Sequence, residues 1–133
     1  MTYSLDTDTC IAFLRRHLSV LDTRFAAHAP EEIVVSAPVR GELFFGAARS
    51  KDPVRARQGV DAFLERFASL PFDDAAADTY GRIRVSLAAS GSPIGPNDLL
   101  IAAIALTASA TLVTHNTREF GRIPGLLLED WLT

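Results

Sequence analysis

Cysteine is nearly missing from this chain. Cys10 stands alone among 133 residues, which rules out an internal disulfide framework and a cysteine-built zinc site. It is expected to pack as a small hydrophobe on the first helix. Lysine is just as scarce: Lys51 is the only one, and arginine supplies the rest of the 13 basic side chains. That choice favours planar, bidentate anion contacts over diffuse attraction. A basic balance is also lacking, since the net charge of -3 weighs against generic affinity for nucleic acid. No run approaches the ~18 apolar residues of a membrane span. The opening Met1 to Asp6 has no basic start before an apolar core, so a cytoplasmic protein is expected. His17, His28 and His115 have no metal-ligand spacing, and no serine sits in a nucleophile elbow. No glycine-rich phosphate loop follows the first strand, which excludes a dinucleotide site of the usual kind.

What is present alternates between strand and helix patterns. Tyr3-Ser4-Leu5 reads as a short strand running into a helix that ends near Arg16, and Leu18 to Ala29 as a second helix. Pro30-Glu31-Glu32 reads as a turn, Ile33 to Ser36 as a buried strand, and Ala37 onward as a helix with Ser36 as its N-cap. Asp52-Pro53 opens another helix with Val60, Phe63, Leu64 and Phe67 at helical spacing. Leu70-Pro71-Phe72 is assigned to a short strand, and Asp73 or Asp74 caps a helix to about Ala89. Ser90 to Pro93 is a loop, Thr111 to Thr114 a strand, and Leu127-Leu128 a last strand after the Pro124-Gly125 turn. The pattern predicts one α/β domain over residues 1–133. It has a central parallel sheet of about four or five short strands and helices on both faces.

Carboxylates fall at the ends of these elements. Asp98 stands at the mouth of Pro96 to Leu106, a helix with no other charge and therefore buried all round. As a residue of the first turn it could equally be a cap. Asp6 follows the first strand, at the carboxyl end where open α/β sheets place ligands; Thr7 and Asp8 can cap the helix in its stead. Glu42 lies mid-helix, about 60 to 70° from the centre of the Val39, Leu43 and Gly46 face. Burying a charge there is expensive without a partner, which is either an arginine such as Arg40 or a shared site. Asn116 and Glu119 lie beyond the strand at Thr111 to Thr114 and can point into the same crevice as Asp6.

These segments resemble a PIN-domain ribonuclease, and within that family a VapC-type toxin of a bacterial toxin–antitoxin pair. The resemblance is carried by Leu5-Asp6-Thr7, Gly41-Glu42-Leu43, Pro93 to Ala102, and Thr114-His115-Asn116-Thr117-Arg118-Glu119-Phe120, in family order over nearly the whole chain. It implies that Asp6, Glu42 and Asp98 hold Mg²⁺ or Mn²⁺ around one shared point and direct hydrolysis of RNA, with a tRNA anticodon loop as one substrate by analogy. Many members carry an acid where Asn116 stands. The fourth contribution is therefore the Asn116 amide oxygen, or Glu119, or none, and Thr114 is a further candidate. Arg40 and Arg118 are candidates for binding substrate. The family also implies a homodimer and an antitoxin whose tail covers the acid site. Among the rings Phe44, Phe45, Phe63 and Phe67, one is expected at such an interface or in a second small core. The alternative function is a non-catalytic module on this fold, binding protein through its aromatic surface. Convergence of the acids separates the two, since capping does not explain Glu42.

Overall fold

A computed structural model describes all residues, Met1–Thr133. In chain order the elements are β1 (Tyr3–Leu5), α1 (Thr7–Arg16), α2 (Ser19–Ala26), a 3-10 turn at Pro30–Glu32, β2 (Ile33–Ser36), α3 (Ala37–Ala48) and α4 (Pro53–Leu64). Then follow β3 (Ala68–Leu70), α5 (Asp74–Ala89), α6 (Pro96–Thr107), β4 (Thr111–Val113), α7 (Thr117–Phe120) and β5 (Leu128–Glu129). The five strands form one parallel sheet in the order β3-β2-β1-β4-β5. Every residue of β1, β2 and β4 is buried. Successive side chains point to opposite faces, so both faces of the sheet are covered, as the continuous apolar strands require.

The order of strands fixes where a ligand can bind. From β1 the chain moves outward through β2 and β3, then returns to the other side of β1 for β4 and β5. The switch point therefore lies between β1 and β4, and the crevice at their carboxyl ends is the natural site. Asp6 leaves β1 there, its N–H still bonded to the Val113 carbonyl at 2.8 Å.

α6 carries the core. Leu99 and the stretch from Ile101 to Ala105 are all buried. Pro96 at the first turn needs no N–H partner and presets the helical φ. Small residues at Ala102, Ala103 and Ala105, all at 0% exposure, let neighbouring elements approach closely. Asp52 and Asp73 cap α4 and α5 through the N–H groups of Arg55 and Ala76.

Some expectations shift. β3 covers Ala68–Leu70 rather than Leu70 to Phe72, because Pro71 has no N–H to give the ladder. The aromatic rings divide. Phe63 and Phe67 join the core with Phe13 and Phe25, and Phe44 is half-buried under the Arg57 guanidinium, 3.8 Å from its centroid. Phe45 is the ring left in solvent, 64% exposed.

Arg40 is a bracket of the scaffold. Its Nε donates to the Val35 carbonyl and its Nη2 to the Phe67 carbonyl, both at 3.0 Å, which ties α3 to β2 and to the entry of β3. Burial lowers its proton affinity. Arg40→Ala should lower the urea-unfolding free energy by about 2–4 kcal/mol, from two charge-assisted bonds. Arg40→Lys should recover only part of it, because a point ammonium cannot span both carbonyls.

Candidate active site

Asp6 performs two tasks at once. It occupies the N-cap of α1, where Oδ1 accepts the Thr7 N–H at 2.8 Å. Its Oδ2 accepts the Thr114 hydroxyl at 2.7 Å across the β1–β4 seam. The carboxylate is 5% exposed. Desolvation pushes its pKa up to about 7, against the lowering effect of Thr114 and Thr7, with the charges of Asp8 and Asp98 adding to the rise. The expectation that Asp8 or Thr7 would cap in its place is not met, because Asp6 has two oxygens to give.

Asp98 caps nothing. Gly95 holds the N-cap position of α6, with no side-chain cap bond, so the carboxylate in the first turn is free. Its pKa is raised to about 6, first by desolvation, then by the charges of Glu119, Glu42 and Asp8. Those neighbours come from α7, α3 and α1. Carboxylates from three other elements thus lie near enough to Asp98 for their charges to act on it, which helix capping alone does not predict.

Glu42 is half-buried on α3, and its Oε1 accepts a hydrogen bond from the Asn97 amide. Arg40 is not its partner, being engaged with carbonyls. Glu119 on α7 accepts the Gly95 N–H at 3.2 Å with Oε1 and the Asn116 amide N–H at 3.1 Å with Oε2. Asn116 also donates its backbone N–H to the Thr114 hydroxyl at 3.0 Å. Arg118 stays exposed beside this network, without an ion pair. Two residues not among the site candidates of the sequence stand beside these acids: Asn97, which bonds Glu42, and Asp8, whose charge acts on Asp98. Burial raises the pKa of Asp8, and its Oδ2 accepts the His115 N–H at 3.3 Å. Their signal in the sequence was adjacency, one step from Asp98 and two from Asp6.

The acids form a ring of neighbours around Asp98 and not a closed cage. No three carboxylate, imidazole or thiol groups stand close enough to be a ready-made metal site, so the single shared point expected for Asp6, Glu42 and Asp98 is not formed. The reason is visible in their bonds: Glu42 is turned to Asn97, and Asp6 to Thr7 and Thr114. The donor set nonetheless suits a hard cation. Oxygen donors dominate, and burial together with the charges of neighbouring acids raises the pKa values of Asp6 and Asp98, a cost of ionisation that a cation would offset. Mg²⁺ retains several waters and needs only one or two direct carboxylates. Next to Glu42 an apolar groove of about 230 Å³ runs between α1, α3 and α4, lined by Ile11, Leu14, Leu43, Ala47 and Val60.

The PIN domain matches residues 3–126 of this sequence. The chain belongs to the PIN domain family. This PIN domain is 38% identical over 132 residues to Ribonuclease VapC2 of Rickettsia felis, covering 98% of each chain. It is 37% identical over 131 residues to the tRNA(fMet)-specific endonuclease VapC of Salmonella typhimurium, again covering 98% of each. Among solved structures it is similar to the DNA-bound VapBC of Salmonella typhimurium, with a TM-score of 0.94, 37% identity and 98% of each chain covered. The α/β architecture of the PIN domain, one sheet of five parallel strands, is therefore shared with VapC proteins. No helix of this PIN domain is long and apolar enough to cross a membrane.

Proposed function

We propose that this chain is a divalent-cation-dependent endoribonuclease that serves as the toxin of a toxin–antitoxin pair. The observation that carries the reading is Asp98: an uncapping carboxylate at the mouth of a buried helix, crowded by Glu42, Glu119 and Asp8. The names of the relatives supply the chemistry, ribonuclease and tRNA-specific endonuclease. A structured RNA such as a tRNA anticodon loop is the proposed substrate.

Asp6, Asp98 and Glu42 would hold Mg²⁺ or Mn²⁺. When bound, the cation supplies a water of lowered pKa and positive charge for the phosphoryl oxygens. The protein's own groups do the positioning. Thr114 and the Thr7 N–H hold Asp6 in one orientation, and Asn97 steers Glu42. Glu119 joins the start of α6 to Asn116, and this engages the Asn116 amide N–H and leaves its Oδ1 to accept from a water in the crevice. Arg118, exposed at the rim, is placed to meet a phosphate. The groove beside Glu42 suits an apolar antitoxin segment that would end over the acids, and the exposed Phe45 suits a second copy of the chain.

Sequencing of RNA ends after incubation with the purified protein tests this. Cleavage should require Mg²⁺ or Mn²⁺, stop in EDTA, and leave a 5′-phosphate and a 3′-hydroxyl. Cleavage that persists in EDTA, or that leaves a 2′,3′-cyclic phosphate, would overturn it.

A further inference from the structure

Ser36 is fully buried, and its hydroxyl has no hydrogen-bond partner. It stands at the N-cap of α3, where a serine ordinarily accepts a bond from the first turn, but it makes none. An unpaired buried hydroxyl costs about 1–3 kcal/mol. Its presence calls for another use.

The strand register shows what lies beside it. β1 pairs with β2 as Tyr3 with Ile33 and Ser4 with Val34, so continuation by two residues sets Asp6 opposite Ser36. Both keep an extended backbone, Asp6 at φ -77°, ψ 162° and Ser36 at φ -70°, ψ 159°. On the other side, β1 pairs with β4 as Leu5 with Val113, which sets Thr114 opposite Asp6. Paired residues of a parallel sheet share a face, and neighbouring strands lie about 4.8 Å apart. Asp6 is therefore flanked by two buried hydroxyls. Thr114 already donates to it at 2.7 Å, while Ser36 keeps its donor free.

We propose that Ser36 is a positioning residue for Asp6: its hydroxyl supports the carboxylate from the β2 flank, as Thr114 does from the β4 flank, when a cation draws Asp6 into the crevice. The inference rests on the nuclease reading for its purpose, and its geometry rests on the sheet alone. Ser4 provides a control. Its hydroxyl is likewise buried and unpartnered on the same face, but it pairs with Val34, two residues deeper than Asp6.

The test compares Ser36→Ala and Ser4→Ala by melting temperature in EDTA, Mn²⁺ affinity by titration, and RNA cleavage. Removing an unpaired hydroxyl should leave both variants at or above the wild-type melting temperature. Ser36→Ala alone should weaken Mn²⁺ binding, by about tenfold as for other supports of metal-ligating groups, with cleavage falling in step. Unchanged Mn²⁺ affinity in Ser36→Ala would overturn the inference. So would an equal loss in Ser4→Ala, or a lowered melting temperature that accounts for the weaker binding. A wild type that binds Mn²⁺ yet cuts no RNA would overturn the nuclease reading while the affinity comparison still decides the role of Ser36. A wild type that binds no Mn²⁺ would overturn both.

Discussion

Asp98→Asn is expected to abolish RNA cleavage and to raise the melting temperature of the metal-free protein. The carboxylate makes no cap bond that asparagine would lose, since Gly95 holds that position. What it does contribute is charge in a partly dried crevice shared with Glu119, Glu42 and Asp8; desolvation first, and then the charges of those neighbours, raise its pKa to about 6. At neutral pH most Asp98 is ionised against that repulsion. The amide removes one charge from the cluster and keeps the shape. Each 1 kcal/mol relieved should appear as a rise of about 3–5 °C in a chain of this size. Losing a cation's stabilisation of the reacting phosphate, worth several kcal/mol, should cost at least about a hundredfold in rate. Calorimetry in EDTA and a gel-based cleavage assay in Mg²⁺ read the two halves separately. An equally active variant would remove Asp98 from the centre of the site, and a lower melting temperature would contradict the repulsion.

The second large effect is on pH. Folded Asp6 holds its proton up to about pH 7, whereas its ordinary value is 3.8. Between those limits the folded chain binds more protons than the unfolded one, so stability falls as pH rises, and above about pH 7 the full penalty applies. Burial is the main cause, so the penalty is a desolvation cost, on the order of 4 kcal/mol for a shift of about three units. Asp98 acts in the same direction, over a range ending near pH 6. Without metal, the melting temperature should therefore decline from pH 5 to pH 8. Asp6→Asn should flatten much of that decline, because the amide can still accept from the Thr7 N–H and donate to Thr114. Mg²⁺ should raise the melting temperature most at the alkaline end, where the carboxylates are ionised and free to bind it. A wild-type curve that rises from pH 5 to pH 8 would refute the burial of a charged Asp6.

Much of this architecture was legible in the sequence, for identifiable reasons. α6 could be read because Pro96 marks its start and no charge interrupts its apolar run. The strands could be read because β-branched residues cluster in short bounded stretches. β3 was misplaced by two residues because Leu70-Pro71-Phe72 looks apolar, and periodicity does not register a missing N–H. The acids could be placed at the ends of elements, but their hydrogen-bond partners could not be read. Whether Asp98 caps its helix depends on the backbone at Gly95, which composition does not reveal. The bond from Asn97 to Glu42 spans 55 positions, and the one from Glu119 to Gly95 spans 24. Such contacts arise only when separate elements meet. Arg40 was a candidate for substrate, and for the same reason nothing local shows that its guanidinium also bonds the carbonyls of Val35 and Phe67.

The burial of α6 bears on how such a site can be controlled. With Ala102, Ala103 and Ala105 wholly enclosed, the middle of the helix cannot roll or slide without breaking close contacts. Asp98 therefore projects from a helix anchored in the core, and displacing it by moving that helix would cost packing. Under the proposed nuclease reading, control of the site would then fall to occlusion at its mouth. The off state would be a covered catalyst, ready to act the moment the cover is removed.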